Sequence, residues 1–182
     1  MAGSVVAAAQ AVGLSDVGID LLSRAHALAM TPRLTSLEDD HHPAYLHPGR
    51  SVLVLLRDVG VLPTKMLCAA AVHESVDEQL RVSTEITRAQ LGDAVAVVVD
   101  SFPLPGDERL AERLVMLEES ARLAALAERL DQLRHAHLRD DIDWRPHHAE
   151  TGAVWLPVAE RTHARLADRY RHWQRTFARR LG

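Results

Sequence analysis

The chain has one cysteine, Cys68, and one lysine, Lys65, and only 4% of its residues are aromatic. A lone cysteine excludes an internal disulfide, and its place inside an apolar run predicts a small buried hydrophobe in a reducing compartment. There is no basic excess: Lys and Arg number 21 against 25 Asp and Glu, a net charge of −4, which argues against a nonspecific nucleic-acid binder. No apolar run is long enough to span a membrane, and Met1 to Gly13 lacks the basic start of a secretory signal. These absences predict a cytoplasmic protein with neither membrane nor nucleic-acid partner, and they leave oligomeric state open. What is present is ordinary: 182 residues, 47% hydrophobic and 25% charged, enough for one domain with a sizeable core and no internal repeat.

Periodicity predicts an all-α chain. Apolar positions from about Ser15 to Met30 give a first helix, with Ser15 or Asp16 to cap it and Pro32 to end it. Thr31 to Tyr45 reads as a loop, and its Glu38, Asp39, Asp40, His41 and His42 as a solvated cluster rather than a metal site. A second helix starts at His47-Pro48 and stops before Gly60, and Pro63 starts a third. Ser83 to Gln90 forms a short helix stopped by Gly92. The Val-rich segment Ala94 to Val99 reads as a helix because no strand candidate exists to pair with it. After a loop at Phe102 to Gly106, Glu108 to about His137 is the longest periodic stretch. A helix through Ala149-Glu150-Thr151 and a last one from Pro157 to Leu181 follow, the latter with an Arg-rich end that suits the helix dipole. The domain divides into an N-terminal helix and loop (1–46), a motif-bearing core (47–161) and a C-terminal helix (162–182). Val5 to Val12 either packs on the bundle or serves a subunit contact.

The run Ala69 to Glu78 organises the rest. It is apolar and helical, then turns abruptly polar, so that His73 and Asp77 at i and i+4 share a face with Glu74 on the flank. Such an end either opens onto a cation or is a solvated acidic cap. Glu128, Asp131, Gln132 and His135 fall at i, i+3, i+4 and i+7, a polar strip that faces either the core or solvent, where Arg129 and Arg134 would pair with it. His47, His73, Glu74 and Glu128 come from three helices, each at the edge of an apolar stripe. Two imidazoles with two carboxylates suit Mn²⁺, Fe²⁺ or Zn²⁺ better than Ca²⁺ or Mg²⁺. Asp77 or Glu78 would then orient or deprotonate a bound water.

The motif order resembles that of the HD-domain hydrolases of the RelA/SpoT family. His47-Pro48, a helix, then Ala70-Ala71-Val72-His73-Glu74 and Val76-Asp77-Glu78 is similar to that family's HP, AALLHD and VED. Leu91-Gly92-Asp93-Ala94-Val95 with Val98-Val99-Asp100 resembles FG-x-x-VA-x-LVDG. Leu126-Ala127-Glu128-Arg129-Leu130-Asp131-Gln132-Leu133-Arg134 resembles LADRLHNMR. Ala149-Glu150-Thr151, then Trp155 to Arg161, resembles A-x-ET and Y-x-PLA-x-RLG. The resemblance implies a compact HD-domain helical bundle of the short single-domain type. It implies hydrolysis of the 3′-pyrophosphate of guanosine tetra- and pentaphosphate with one Mn²⁺. His47, His73, Glu74 and Glu128 then stand at the ligand positions, Asp77 and Glu78 at the acidic pair that activates water, and Gln132 in place of an asparagine that contacts the nucleotide.

The chain departs from the family where chemistry is most exacting. Both aspartate ligands are glutamates, the VED pair is inverted, and Leu104 stands where the family has a lysine. Arg33, Arg134 and Arg145 are the candidates for phosphate recognition in its place, with Arg134 and Arg145 grouped with Gln132 as substrate-binding residues. The expected function is therefore a metal-dependent phosphohydrolase acting on a phosphorylated nucleotide. The alternative is a degenerate HD protein that binds a nucleotide or protein partner without turnover.

Overall fold

A computed structural model describes residues 1–37, 41–60, 62–139 and 142–181, with side chains to residue 179. Glu38, Asp39 and Asp40 of the expected His-acid loop, Asp140 and Asp141, and the side chain of Arg180 lie outside the described residues. The fold is all-α: every regular element among the described residues is helical. The helices are α1 Ala2–Ala11, α2 Asp16–Ser36, α3 His47–Val54, α4 Thr64–Val72, α5 Thr84–Leu91 and α6 Asp93–Ser101. They continue as α7 Leu110–Met116, α8 Glu119–His135, α9 Arg145–Glu150, α10 Leu156–Thr162 and α11 Ala164–Leu181. A π turn, Leu55–Val59, prolongs α3 until Gly60 ends it at φ 99°, a conformation that side chains rarely adopt. A second π turn, Thr151–Trp155, joins α9 to α10.

Helix α4 is the centre because Met66 to Val72 carries no charged or hydrogen-bonding side chain to hold in water, and the whole stretch is buried. It packs against α2, α3, α6 and α8. Ala69, Ala70 and Ala71 keep its girth small, which lets four helices approach. Helix α2 reaches the start of α4 through Gly18, where a Cβ would lie 2.9 Å from Thr64 Oγ1. Cys68 sits in this core, and burial pushes its thiol up to about 12, so it serves as the inert small hydrophobe expected. α1 packs on α2 and α3 through Val5 and Ala9, and α11 lies on α8, where the Tyr170 hydroxyl donates to Leu126 O at 2.7 Å.

Four expectations change. Helix α2 does not end at Pro32 but continues to Ser36. Past the proline it is anchored by Arg33, whose guanidinium is fully buried and donates to Ala29 O and Ala44 O at 2.7 and 2.8 Å. The organising helix stops at Val72, so His73 and Asp77 share no helical face. His73 is extended at ψ 136°, the Glu74 carboxylate takes the amides of Val76 and Asp77, and Arg81 takes the carbonyls of Glu74 and Ser75. Those side chains claim the backbone groups that a further helical turn would have used. The long stretch from Glu108 is two helices, α7 and α8, parted where Leu117 and Glu118 are extended and Arg122 reaches back to Leu117 O at 2.9 Å. The last predicted helix likewise breaks at the extended His163, where α11 folds back against α10.

Candidate functional site

Three pieces of chain meet at one point: the first turn of α3, the irregular segment after α4, and one face of α8. His47 opens α3, where Pro48 costs no hydrogen bond because first-turn amides have no helical partner. His73, Glu74 and Ser75 follow α4, and the buried face of α8 supplies Glu128, Asp131 and Gln132. The polar strip of α8 therefore faces inward rather than solvent. Arg129 is not a surface partner of that strip. It is fully buried on the adjoining face, 2.9 Å from His147 Nδ1, 3.7 Å from Glu150 and over the Trp155 ring.

His47 is held from one side and open on the other. Its Nδ1 lies 2.9 Å from Asp131 Oδ2, and Arg50 donates to both oxygens of the same carboxylate, so the ring orientation is set. Its Nε2 then points at Glu128 Oε1, 3.3 Å away, and His73 Nδ1 faces the same oxygen at 3.5 Å. Both nitrogens are buried, and neither is aligned for a hydrogen bond. Ser75 bridges the Glu128 carboxylate (3.2 Å) and Gln132 Oε1 (2.7 Å), and Phe102 packs edge-on against His73.

Glu74 is committed elsewhere. Its Oε2 accepts from the buried Arg33 guanidinium at 2.7 Å, and its Oε1 accepts from Gln132 and from the amides of Val76 and Asp77. Asp77 caps the short turn Glu78–Leu80 by accepting from the Gln79 amide, and it lies 3.9 Å from Arg139. Glu78 points outward, its side chain 85% exposed beside Arg81. Gln132 thus joins the cluster as expected. Arg145 is exposed beside Asp143, and Arg134 lines a different cleft, formed with α11. A narrow cleft of about 320 Å³ opens onto His47 and Glu74 between Ala44, Arg50, Gln132 and Arg139. A wider one of about 970 Å³ reaches His73 and Glu74 from the other flank, past Arg81, Asp100 and Leu104.

The charges around His47 decide its protonation. Burial pushes its pKa down, but the hydrogen bond to Asp131, the Glu128 carboxylate facing its Nε2, and the charges of Glu74 and Asp131 outweigh that and raise it to about 9. Burial would raise Glu128, yet the two imidazoles hold it well below the usual carboxylate range. Asp131 is held low in the same way, by His47 and Arg50 against burial. A raised folded pKa means stability present in full below the unfolded value and lost as pH rises through the folded one. In chelator-treated protein, stability is therefore expected to fall by on the order of 3 kcal/mol between pH 6.5 and 9. His26, His135 and His147, lowered chiefly by burial, act below pH 6.5 and with the opposite sign. Urea denaturation across the window checks this, and His47→Gln should flatten the slope.

For a metal, the donor types are suitable. Ligands about 2.1 Å from a tetrahedral ion stand roughly 3.4 Å apart, close to the separations of Glu128 Oε1 from the two imidazole nitrogens. The set is nevertheless not gathered as a finished centre: among the described residues, no group of three or more His, Cys, Asp or Glu is placed to hold an ion. Glu74 is bound by Arg33 instead. The residues that sequence reasoning missed are those that position others, Arg50, Arg81 and Asp131, and Arg33 in its role as partner of Glu74. Only the spacing of Asp131 from Glu128 on α8 signalled any of these in advance. No family model matches the chain, and no curated protein or solved structure is significantly similar to it.

Proposed function

We propose that this chain is a metal-dependent phosphohydrolase that acts on a phosphorylated nucleotide, in the manner of the HD-domain hydrolases whose motif order it resembles. By that resemblance the substrate is the 3′-pyrophosphate of guanosine tetra- or pentaphosphate. The observation that carries this reading is the pair of buried imidazole nitrogens, His47 Nε2 and His73 Nδ1, without a hydrogen bond and facing one oxygen of Glu128. Buried polar atoms without partners are rare, and two aimed at one carboxylate are what a cation, most suitably Mn²⁺, would explain. The ion would be held by His47, His73 and Glu128, and it would supply Lewis-acid polarisation of a phosphoryl oxygen and acidification of water. Asp131 fixes the tautomer of His47 by accepting from Nδ1, which leaves Nε2 to face the site. Ser75 and Gln132 hold the carboxylates of Glu128 and Glu74 apart. Arg50 and Arg139 line the narrow cleft by which a phosphate would approach, so its walls favour an anion. Asp77 remains the candidate for orienting water; Glu78, in solvent, takes no part.

A second reading, binding without turnover, is favoured by one specific observation. Both oxygens of the Glu74 carboxylate already accept hydrogen bonds, Oε2 from Arg33 and Oε1 from Gln132 and two amides, so the fourth ligand position is committed. One experiment separates the readings. The protein is purified without chelator, its metal content is measured, and a panel of nucleotides is assayed with added Mn²⁺. Stoichiometric metal with release of pyrophosphate supports hydrolysis. Metal or nucleotide bound without turnover supports the second reading. Absence of metal, with the same thermal midpoint in His73→Ala as in the parent with Mn²⁺ added, overturns the metal site itself.

A further inference from the structure

Behind the His47–Asp131 pair lies a cleft of about 680 Å³, enclosed by the end of α3 with its π turn, the second half of α8, and α11. Four arginines line it, Arg50, Arg57, Arg134 and Arg169, against two aspartates, Asp58 and Asp131. Both aspartates are already neutralised: Asp58 is held by Arg169 at 2.7 Å, and Asp131 by Arg50 and His47. Arg57 and Arg134, which come from different helices, therefore have no acidic partner among the described residues. Arg134 and Arg169 also line the adjoining groove of about 1100 Å³ between α8 and α11, which adds His137, His172 and Trp173. Asp168, the one carboxylate among the described residues that line it, is taken by Arg171 at 2.6 Å. A chain of net charge −4 has thus placed arginines without an acidic partner among the described residues along two adjoining hollows.

We propose that this cleft is a second, non-catalytic site that binds the phosphate group of a small molecule. Guanidinium groups converging from several elements match a multiply charged tetrahedral anion, which accepts from each of them. The short reach of the cleft, lined by a few residues of α3 with its π turn, α8 and α11, argues for a small ligand. Asp58, Asp131 and Asp168 interrupt the arginines that line it and the adjoining groove, where a nucleic acid would require an extended basic stripe. The site does not depend on the proposed catalysis, because Arg57 and Arg134 touch neither imidazole nor Glu128.

Isothermal titration of inorganic pyrophosphate into the 182-residue protein, with chelator present, tests the assignment. Binding is expected, and it should weaken as salt is raised, since exposed charges are screened. The double variant Arg57→Ala/Arg134→Ala should weaken it about tenfold or more, each charge-assisted contact being worth about 1.5–3 kcal/mol. Both side chains are exposed and outside the core, so circular dichroism should show that variant folded. Arg88→Ala, which removes an exposed arginine beside Asp93 that lines none of these clefts, should leave pyrophosphate affinity unchanged. No binding to the parent, or equal binding by the double variant, which would put the pyrophosphate in the front cleft or elsewhere, would each overturn the proposal.

Discussion

Arg33→Ala is expected to destabilise the protein by about 3–5 kcal/mol, the cost of leaving a buried charge without its partner. Arg33 and Glu74 are 0% and 3% exposed at the side chain, and they meet at 2.7 Å. Removing the guanidinium strands the Glu74 carboxylate and also the carbonyls of Ala29 and Ala44, which hold α2 together beyond Pro32. The double variant Arg33→Ala/Glu74→Ala should cost less than the two single changes added together, because the second change removes the stranded charge. Urea denaturation of the four proteins measures that coupling, and a single-variant cost under about 1 kcal/mol would mean the pair behaves like a solvated one. Arg33→Met asks a functional question of the same pair. It keeps the apolar stem while freeing Glu74, so Mn²⁺ affinity should rise if Glu74 is a competent ligand.

The second large effect concerns Glu128→Gln. In the parent protein, Mn²⁺ at a hundredfold excess over its dissociation constant should raise stability by about 2.7 kcal/mol. The amide has the shape of the carboxylate but neither its charge nor its affinity for a cation, so the variant should show no metal-dependent rise. Without metal it should lose stability as well, since the anion that faces the raised His47 imidazole is gone. Thermal melts of both proteins, with and without Mn²⁺, provide the comparison. A variant that still gains stability from the ion would place the metal away from Glu128 and would undo the proposed ligand set.

How far the site was legible depends on which force placed each residue. His47 and Glu128 could be found because helix periodicity put them at the edges of apolar stripes, and burial of those stripes brings the edges together. Glu74 was assigned by the same reasoning, yet its carboxylate turns to Arg33, which lies 41 positions away in sequence. No local pattern marks that pairing. Asp77 and Glu78 were placed on an imagined helical face, and the chain leaves the helix at Val72 because the side chains of Glu74 and Arg81 take up the local backbone groups. Arg134 follows the motif order but sits on the other side of α8 from the cluster, lining the rear cleft.

The sequence by itself determined the helical class, most helix starts and stops, and the buried α4 run. These follow from apolar spacing, from Ser15 as a cap, and from Gly60 and Gly92, which the structure holds at positive φ. Only the tertiary structure decided which charge faces which: Asp131 on His47, Arg33 on Glu74, and two imidazoles on Glu128. The reason is physical. Periodicity reports the direction in which a side chain leaves its own helix, whereas the partner of a buried ion is chosen by packing between helices, where desolvation makes every unpaired charge costly.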